Sequence, residues 1–444
     1  MSTRKISRRS FLKSAAAAGG ALAASRFLDK FPLVKAQGEL PDLSGVRLTV
    51  LNNSSFIPGW DDFFRSQVEE DFMRRTGAEV TVEFLAENQL TEQIAAASQA
   101  GAGPDIIMSA HNWAHVYQEA LVDLSDIAEE IKEWVGEFYP QIESYTNVDG
   151  KYLTIPHHFL GIGMHYRRSW LEEVGGWPPP QTYEELFDVG KRLKENGHPL
   201  GTSLGHSIND PHLWCYPMLW AYGGKEIDQD GNVAINSPET VEALRVMAQA
   251  WGDAFDESGL AWDDSGNNRA FLSGTVSAVL NATSIWWVAR QDELDFFDDI
   301  VLDLYPMGPN GRFSQGVVWS YGVMNYSENV EAAKAFIKWS MTDEIWMPGF
   351  ELAESFHNGV GEIQNNNPLW DNFPPVTHVL KDAPVGSQGI GYEGPPTRAA
   401  GLAKEQFIIV DMFARAVQGE DPEELAAWAE GELQRIYGQE EEDE

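Results

Sequence analysis

The stretch that decides the fold is residues 149–186, which read DGKYLTIPHHFLGIGMHYRRSWLEEVGGWPPPQTYEEL. Its first half predicts two consecutive strands, at residues 152–155 and 159–166, because β-branched, aromatic and other apolar residues predominate there. Gly161 and Gly163 interrupt the second strand, where glycine weakens pairing and marks a bend or a close approach of two backbones. We therefore predict such a bend or backbone contact at this point of the chain.

The second half of the stretch predicts two helices. The first is short, at residues 169–174, and Gly175-Gly176 ends it before three prolines at 178–180. Thr182 then begins a longer helix, and Glu185 three residues later completes a capping-box pattern. Taken alone, these elements fit a strand–turn–helix unit of any α/β protein.

The order of these elements resembles one family, the extracellular solute-binding proteins of family 1. These are the maltose-binding-protein type that serves ABC importers. The matching positions are Asp149-Gly150-Lys151, Ile155-Pro156, His165-Tyr166, Gly175-Gly176, Pro180 and Thr182-Tyr183-Glu184-Glu185-Leu186. In that family the chain first crosses from one lobe to the other here. Arg167 departs from the pattern, since the family usually has Asn after the Tyr.

Further motifs of the same family follow in register. They lie at residues 101–107 (GAGPDII), 120–124, 223–224, 271–281, 316–324, 328–339 and 405–436. The resemblance covers residues 41–438 and implies an α/β fold of two discontinuous, doubly wound lobes joined by a hinge, periplasmic-binding-protein-like and of class II. It places the N-terminal lobe at 41–158 plus 321–372 and the C-terminal lobe at 159–320 plus 373–438. Residues 439–444 are an acidic tail.

The residues after the N-terminal segment predict a parallel sheet independently of the resemblance. Strands and helices alternate at residues 46–51, 63–77, 80–84, 88–100 and 106–109. Ligands of such sheets bind beyond the carboxyl ends of the strands. This places residues 53–55 and 111–113 at one rim.

The N-terminus predicts export. Residues 7–13 read SRRSFLK, close to the twin-arginine pattern, and a weakly hydrophobic stretch at 14–24 and a small-x-small site at 34–36 follow. We therefore predict a twin-arginine signal peptide at 1–36, with the twin-arginine export machinery as a partner. The only cysteine is Cys215, so neither a lipid anchor at the cleavage site nor an intramolecular disulfide is expected. The predicted location is periplasmic or extracellular.

The charge of the chain excludes several partners. The formal net charge is -37, and residues 1–36 hold eight Lys/Arg and one Asp, so their removal leaves about -44. Such a chain repels nucleic acid and anionic membranes.

The acidity has two interpretations, which remain open at this point. Dense surface carboxylates keep a protein hydrated in a salty habitat, or the chain is an ordinary acidic exported protein. The first interpretation predicts that the mature protein unfolds when it is dialysed into low salt, as circular dichroism would show. Unchanged stability would contradict it.

Aromatic composition suggests the class of ligand. The chain has sixteen tryptophans, and sugars present an apolar face that stacks on aromatic rings and a hydroxyl rim that needs fixed donors and acceptors. Five tryptophans on predicted helices at apolar spacing are assigned to the core: Trp134, Trp170, Trp251, Trp339 and Trp428.

The resemblance and the polar surroundings select the candidate ligand-binding residues. They are Ser54, Ser55, Asn112 and Trp113 in the first lobe; Asp210, His212, Trp214, Asn281, Trp286 and Trp287 in the second; His158, Trp319 and Tyr321 at the crossovers; and Tyr392 and Arg398 near the C-terminus. The maltose-binding member has a charged pair at the positions of Asn112 and Trp113 and an aromatic residue at Ser109. Maltodextrin itself is therefore not indicated.

The sequence gives little support for a metal site or for an enzyme active site. His157 and His158 are adjacent, but neighbouring strand residues point to opposite faces, and no HExxH motif or cysteine pair is present. The GxSxG and P-loop motifs are absent too. No cofactor, metal or catalytic residue is expected.

The resemblance implies capture of a mono- or oligosaccharide by hinge closure, followed by delivery to the transmembrane subunits of an ABC permease. The protein is expected to act as a monomer. Two alternatives remain: a binding protein for a non-sugar solute such as a polyamine, phosphodiester or organic acid, and an exported glycoside hydrolase.

Overall fold

The computed structural model describes residues 40–443, with side chains to residue 438. The predicted signal peptide and the side chains of the predicted acidic tail lie outside the described residues. Within the described range, every helix is too short or too polar to cross a membrane.

Twelve strands are present in the part of the chain that the structure describes. They are β1 (Arg47–Asn53), β2 (Glu79–Leu85), β3 (Ile106–Ala110), β4 (Asn147–Val148), β5 (Lys151–Tyr152), β6 (Thr154–Leu160), β7 (Gly163–Arg167), β8 (Ala278–Asn281), β9 (Ile300–Asp303), β10 (Met307–Gly308), β11 (Gly311–Arg312) and β12 (Val317–Val323).

The helices surround these strands. They are α1 (Trp60–Gln67), α2 (Arg74–Thr76), α3 (Glu87–Ala100), α4 (Trp113–Val116), α5 (Ser125–Val135), α6 (Pro140–Thr146), α7 (Arg168–Glu173), α8 (Tyr183–Glu195), α9 (Asp210–Tyr222), α10 (Pro238–Ala254), α11 (Gly266–Leu272), α12 (Ser284–Gln291), α13 (Val330–Ser340), α14 (Asp343–Ala353), α15 (Glu362–Asn365), α16 (Ala383–Gly386), α17 (Arg398–Glu405), α18 (Ile408–Ala416) and α19 (Pro422–Asp443). A π-helical segment, Val68–Met73, joins α1 to α2.

Two sheets form the centres of two lobes. The first has the order β2-β1-β3-β12-β6, and β1 runs parallel to β2 and β3 as the alternation of strands and helices predicts. The second sheet has the order β8-β7-β9, with both outer strands antiparallel to β7. The predicted α/β class with two lobes is confirmed.

The chain passes between the sheets twice. It leaves the first sheet after Leu160 and enters β7 at Gly163, and it returns from the second lobe to β12 at Val317. Because β6 pairs with β12 as far as Leu160 opposite Val317, residues 159–160 and 317–320 belong to the first sheet. The predicted lobe boundaries placed these residues in the C-terminal lobe, but the strand pairing assigns them to the sheet of the N-terminal lobe.

Glycine at the first crossing reflects close packing of backbones. A Cβ on Gly161 would lie 2.9 Å from the carbonyl oxygen of Leu380, and one on Gly163 would lie 2.6 Å from that of Asp303. Real Cβ atoms do not approach other atoms so closely, so both positions require glycine. The predicted backbone approach is confirmed.

Local signals account for the helix ends. Thr182 accepts a hydrogen bond from the backbone N–H of Glu185 at 3.1 Å and so caps α8. The Glu185 carboxylate accepts from the N–H of Gln181, one residue before the position that a capping box uses. Phe407 adopts a left-handed φ of 58° and separates α17 from α18.

Hydrogen bonds to a buried carboxyl group hold the C-terminal helix, α19, against α9. Glu226 is fully buried and accepts hydrogen bonds from the hydroxyls of Tyr216 on α9 at 2.9 Å and Tyr437 on α19 at 2.7 Å. Burial raises the pKa of Glu226 to about 7, although the two hydroxyls work in the opposite direction. The carboxyl is therefore neutral in the folded protein at pH 5, where it is ionised in the unfolded chain.

Glu226→Gln is expected to remove part of the pH dependence of stability. Because the folded pKa is raised, the wild-type protein loses stability as pH rises from about 4.5 through 7, by up to about 3 kcal/mol from this group. Urea unfolding at pH 5 and pH 8 should show a smaller difference in the variant than in the wild type. The exposed Glu195→Gln serves as the control, and equal differences in all three proteins would contradict the assignment.

Candidate functional site

The candidate site lies where the two lobes meet, beyond the carboxyl end of β3. His111 follows β3 directly and adopts a left-handed φ of 51°, which is uncommon for a residue with a side chain. Its ring reaches the second lobe, where Nε2 lies 2.8 Å from Oδ1 of Asn209. Strain of this kind is often found at functional sites.

Asn209 connects two groups of the first lobe. Its Nδ2 donates to a carboxylate oxygen of Glu87, the first residue of α3, and its Oδ1 faces His111. The amide nitrogen is thereby assigned to Glu87, so Nε2 of His111 carries the proton that Asn209 accepts. All three residues are buried. A continuous hydrogen-bonded chain therefore spans the cleft.

Asp264 fixes the position of Asn209 and the start of α9. One oxygen, Oδ1, accepts from the Ser207 hydroxyl at 2.8 Å, from the backbone N–H of Asp210 at 2.8 Å, and from that of Asn209 at 3.3 Å. These bonds satisfy N–H groups at the helix N-terminus that have no partner within the helix. The second lobe therefore presents Asn209 and Asp210 on a rigid support.

A narrow cavity of about 30 Å³ lies beside this chain. Two aromatic residues, Phe56 and Phe356, contribute to its apolar wall, and the polar wall carries amides, a hydroxyl and carboxylates. Its lining residues are Phe56, Glu87, Leu160, Ile162, Asn209, Asp210, Leu213, Asp264, Asn268, Asn281, Ala282, Ser284, Val317 and Phe356. The cavity thus combines residues on both sides of the crossovers.

Burial perturbs the carboxyl groups of this cavity. Burial, with a smaller contribution from Asp264, raises the pKa of Glu87 well above its usual range, against the bond from Asn209 and the charge of Lys404. Burial and the neighbouring Asp264 and Glu87 carboxylates raise the pKa of Asp210 in the same way. Negative charge on these two carboxyl groups is therefore unfavourable.

One buried cation partly balances these carboxylates. Lys404 on α17 donates to the carbonyl oxygen of Ile208 at 2.7 Å. Burial lowers the pKa of Lys404 to about 8, although the carboxylates of Glu405, Asp264 and Glu87 favour its charged form. The ammonium group lies behind the cavity wall and is not among its lining residues.

Several buried polar atoms around the cleft have no hydrogen-bond partner among the described residues. They include His111 Nδ1, Gln141 Oε1, Asp210 Oδ2, His212 Nδ1, Thr283 Oγ1 and both amide atoms of Gln315. Buried polar groups are nearly always paired in native proteins. Such groups are ordinarily satisfied by ordered water or by a polar ligand.

The sequence model of the bacterial extracellular solute-binding proteins matches residues 57–345, well over half of the chain. The chain belongs to this family. A model of twin-arginine signal sequences matches residues 5–25, so the predicted signal is confirmed, and the protein is exported to the periplasm or extracellular space. Members of the family are binding proteins.

Two relatives illustrate the family match. A putative binding protein of Brucella abortus is 23% identical over 331 residues, which are 71% of this chain and 76% of the relative. A probable ABC transporter-binding protein of Deinococcus radiodurans is 24% identical over 247 residues, 53% of this chain and 57% of the relative.

Solved structures share the fold. The maltose-bound MalE3 of T. maritima superposes with a TM-score of 0.76 at 21% identity, covering 88% of this chain and 100% of that one. A solute-binding protein of Agrobacterium radiobacter in complex with ribitol superposes with a TM-score of 0.75 at 20% identity. The match covers 89% of this chain and 99% of that one.

Two of the predicted polar residues of this solute-binding protein line the cavity, and three others form hydrogen bonds that fix loops and helix ends. Asp210 and Asn281 line the cavity. Ser54 and Ser55 both bond the carboxylate of Asp61 and so fix the loop that carries Phe56. Nδ2 of Asn112 donates to the carbonyl oxygen of Thr397 at 3.3 Å, which ties the end of β3 to the start of α17.

Three of the predicted tryptophans pack inside a lobe. Trp214 contacts the rings of Tyr183 and Phe255, and Trp286 contacts Phe297. Trp113 is buried in the main apolar core with 2% of its surface exposed. None of the three is among the cavity-lining residues.

Three further candidates lie in the first sheet. His158 packs near Trp319, with ring centroids 6.5 Å apart, and the hydroxyl of Tyr321 donates to Asn52 at 3.3 Å. All three are buried beside the cavity-lining Val317. They form the base of the hinge region rather than the cavity wall.

The last four candidates are dispersed. Trp287 donates to the carbonyl oxygen of Leu352 at 3.3 Å, and Tyr392 packs against Trp220. His212 stacks on Phe407, with centroids 5.2 Å apart. Arg398 is exposed at the start of α17.

The side chains of His157 and His158 are not oriented as the sequence predicts. We expected His157 and His158 to face opposite sides, but their Nδ1 atoms lie 2.9 Å apart. The reason is a β-bulge: Pro156 and His158 pair with consecutive residues of β12, so His157 is the extra residue. Among the described residues, no three His, Cys, Asp or Glu side chains are grouped to hold a metal ion.

Sequence reasoning missed several contributors to the cleft, chiefly Glu87, Asn209, Asp264, Phe56 and Phe356. His111 was placed at the rim by the strand pattern but not selected. Phe56 follows directly after the two selected serines, and Asn209 precedes the selected Asp210. Extending each selected loop by one residue would have included both.

Asn209→Ala is expected to weaken closure of the lobes. The change leaves Glu87 and His111 without their hydrogen-bond partner. Each such bond stabilises the contact between the lobes by about 1 kcal/mol, and by more where one partner is charged. Small-angle X-ray scattering of the ligand-free protein should show a larger radius of gyration. Asn236→Ala, which removes an exposed amide bonded to Glu430, is the control. An identical radius in all three proteins would contradict a role in closure.

Proposed function

We propose that this protein captures a carbohydrate between its lobes and delivers it to the transmembrane subunits of an ABC importer. The observation that carries the proposal is the composition of the interlobe cavity. Phe56 and Phe356 supply aromatic surface, and Asn209, Asn281 and Ser284 supply hydrogen-bonding groups. A sugar needs this combination, since its C–H face is apolar and its hydroxyls are polar.

The site of capture, on this proposal, is the cavity and the polar groups that extend from it. Its first-lobe part comprises Glu87, His111 and Phe56, and its second-lobe part comprises Asn209 and Asp210. The unpaired Nδ1 of His111 is an acceptor in the tautomer that bonds Asn209. A sugar hydroxyl is a suitable donor for it.

Closure explains how binding would be signalled. The lobes have the bounds predicted from sequence, except that residues 159–160 and 317–320 belong to the first sheet. They hinge between Leu160 and Gly163 and before Val317. A solute that contacts both walls interacts better with the closed form than with the open one and therefore favours closure. The permease would then distinguish loaded from empty protein by shape.

The solutes of related proteins support the carbohydrate class. A maltotriose-binding protein of Pyrococcus abyssi is 23% identical over 276 residues, covering 60% of this chain and 56% of that protein. A sugar transporter of Arthrobacter chlorophenolicus with bound laminaribiose shares the fold with a TM-score of 0.75 at 15% identity. The match covers 88% of this chain and 99% of that one.

The alternatives are less well supported. An anionic solute would need a free cation, but the cavity lining contains no Lys or Arg. The candidate Arg398 is exposed and interacts with Glu405. The hydrolase alternative has only the carboxyl groups of the cavity in its favour, whereas the members of the family are binding proteins.

Phe56→Ala is expected to weaken sugar binding about fivefold, because stacking on an aromatic ring contributes about 1 kcal/mol. A thermal-shift screen of the mature protein against sugars and polyols identifies a ligand, and calorimetry then compares the variants. Phe63→Ala, a half-buried phenylalanine on α1 outside this cavity, is the matched control. An equal loss in both variants, or none in either, would contradict the assigned cavity.

A further inference from the structure

Three histidines form a cluster next to the first crossing between the lobes. The ring centroids of His158 and His357 lie 4.1 Å apart, and those of His157 and His158 lie 5.2 Å apart. Each of the three residues is between 3% and 5% exposed. Three rings that can each take up a proton therefore share one part of the first lobe that is shielded from solvent. We call them the histidine cluster.

One hydrogen bond of the cluster depends on its protonation state. Nδ1 of His157 lies 2.9 Å from Nδ1 of His158, so one of these nitrogens donates and the other accepts. Such a bond needs at least one neutral ring, because both nitrogens of a cationic imidazole carry a proton. Protonation of both rings therefore replaces the hydrogen bond with two N–H groups that face each other.

Uncharged side chains pack around the histidine cluster. Trp60 on α1 meets the ring of His357 edge-on, with centroids 4.9 Å apart. Tyr321 on β12 lies 5.2 Å from His157, and Trp346 on α14 donates to the carbonyl oxygen of His157 at 3.2 Å. These neighbours supply no negative charge. A buried cation without a counter-ion is costly, so the surroundings favour neutral rings.

The charged side chains on the neighbouring elements are engaged elsewhere or exposed. The contacts are Asp61 with Ser54 and Ser55, Asp62 with Arg65, Glu344 with Arg75, Glu354 with Arg290, Lys334 with Asp126 and Glu331, and Lys338 with Glu130, while Glu351 is exposed. Among the described residues, the charges that shift the pKa of these histidines belong to the cluster itself.

Burial lowers the pKa of all three imidazoles, to about 3 for His157. Neighbouring rings of the cluster lower the pKa of His158 and His357 further. Because each folded pKa lies below the unfolded value of about 6.5, the stability that the neutral rings contribute is complete above that pH. It is lost as the pH falls from there toward the folded pKa values.

The histidine cluster adjoins the cavity wall as well as the crossing. His357 follows directly after Phe356, which lines the cavity. The next residue, Asn358, exchanges two backbone hydrogen bonds with Phe159 on β6, at 2.7 and 3.0 Å. Movement of His357 away from the rings on β6 would therefore displace Phe356 and break the pairing at Phe159.

We propose that the histidine cluster is an acid-sensitive switch of the cleft. Neutral rings pack together and hold Phe356 and the end of β6 in the closed arrangement. Protonated rings repel one another without a counter-ion, and the segment at His357 leaves β6. The proposal goes beyond the capture of a solute, since it concerns the response of the cleft to pH and does not depend on which solute binds.

Small-angle X-ray scattering of the ligand-free mature protein between pH 7.5 and pH 4.5 tests the switch. A ring that is neutral when packed, and has a pKa of about 6.5 when exposed, shifts the equilibrium toward the open form about thirtyfold between pH 7.5 and pH 5. The radius of gyration of the wild type is therefore expected to rise over this range. Far-UV circular dichroism should stay unchanged, because the helices and strands of each lobe remain folded.

His357→Phe and His158→Asn assign the response to the histidine cluster. The first variant keeps a ring against Trp60, and the second keeps a polar amide in place of the imidazole, but each removes one titrating group. In either variant the shift toward the open form should be about thirtyfold smaller, so the radius increases at a lower pH. His165→Phe is the matched control, because His165 is equally buried with a pKa lowered to about 4 but lies in the second sheet.

The outcomes are distinct from those of the capture experiment. A wild-type radius that stays constant over the pH range overturns the switch. Equal expansion of the wild type and both cluster variants, or an equal reduction in His165→Phe, overturns its assignment to the cluster. All four proteins retain Glu226, so the titration of that group cancels in the comparison. No readout involves a solute, so failure of the switch leaves the proposed capture standing.

Discussion

The pairing of β6 with β12 is the interaction on which the two-lobe arrangement depends. One strand leaves for the second lobe after Leu160, and the other returns from it at Val317, its direct partner in the ladder. Both of these connections therefore start at the same end of one strand pair. The packing there is tight, since a Cβ on Gly316 would lie 1.9 Å from the ring of Phe159.

The same sheet places the site. β3 lies beside β12, and Ala110 pairs with Trp319 at the end of their ladder. His111 is the next residue, so its left-handed backbone turns the ring out of the sheet at the level where the lobes separate. Asn209, held by Asp264, meets it from the opposite side. The cleft geometry thus follows from one strand register and one helix start.

Local patterns predicted what depends on neighbours in sequence. Gly161 and Gly163 signalled a close backbone approach, and Thr182 signalled the start of α8. The site depended on partners that the sequence does not reveal: Glu87 resembles any acidic residue in a first helical turn until Asn209 approaches it. The number of tryptophans does not locate the cavity, because rings such as Trp214 fill the core, while phenylalanines line the cavity.

The acidity of the whole chain acts beyond its surface. A mature chain near -44 creates a negative potential around the molecule that raises the local concentration of cations and lowers that of anions. The surface carboxylates are hydrated, so salt screens their contribution. The charge of the whole chain therefore acts on the rate at which charged molecules arrive, and it acts more strongly at low salt than at high salt.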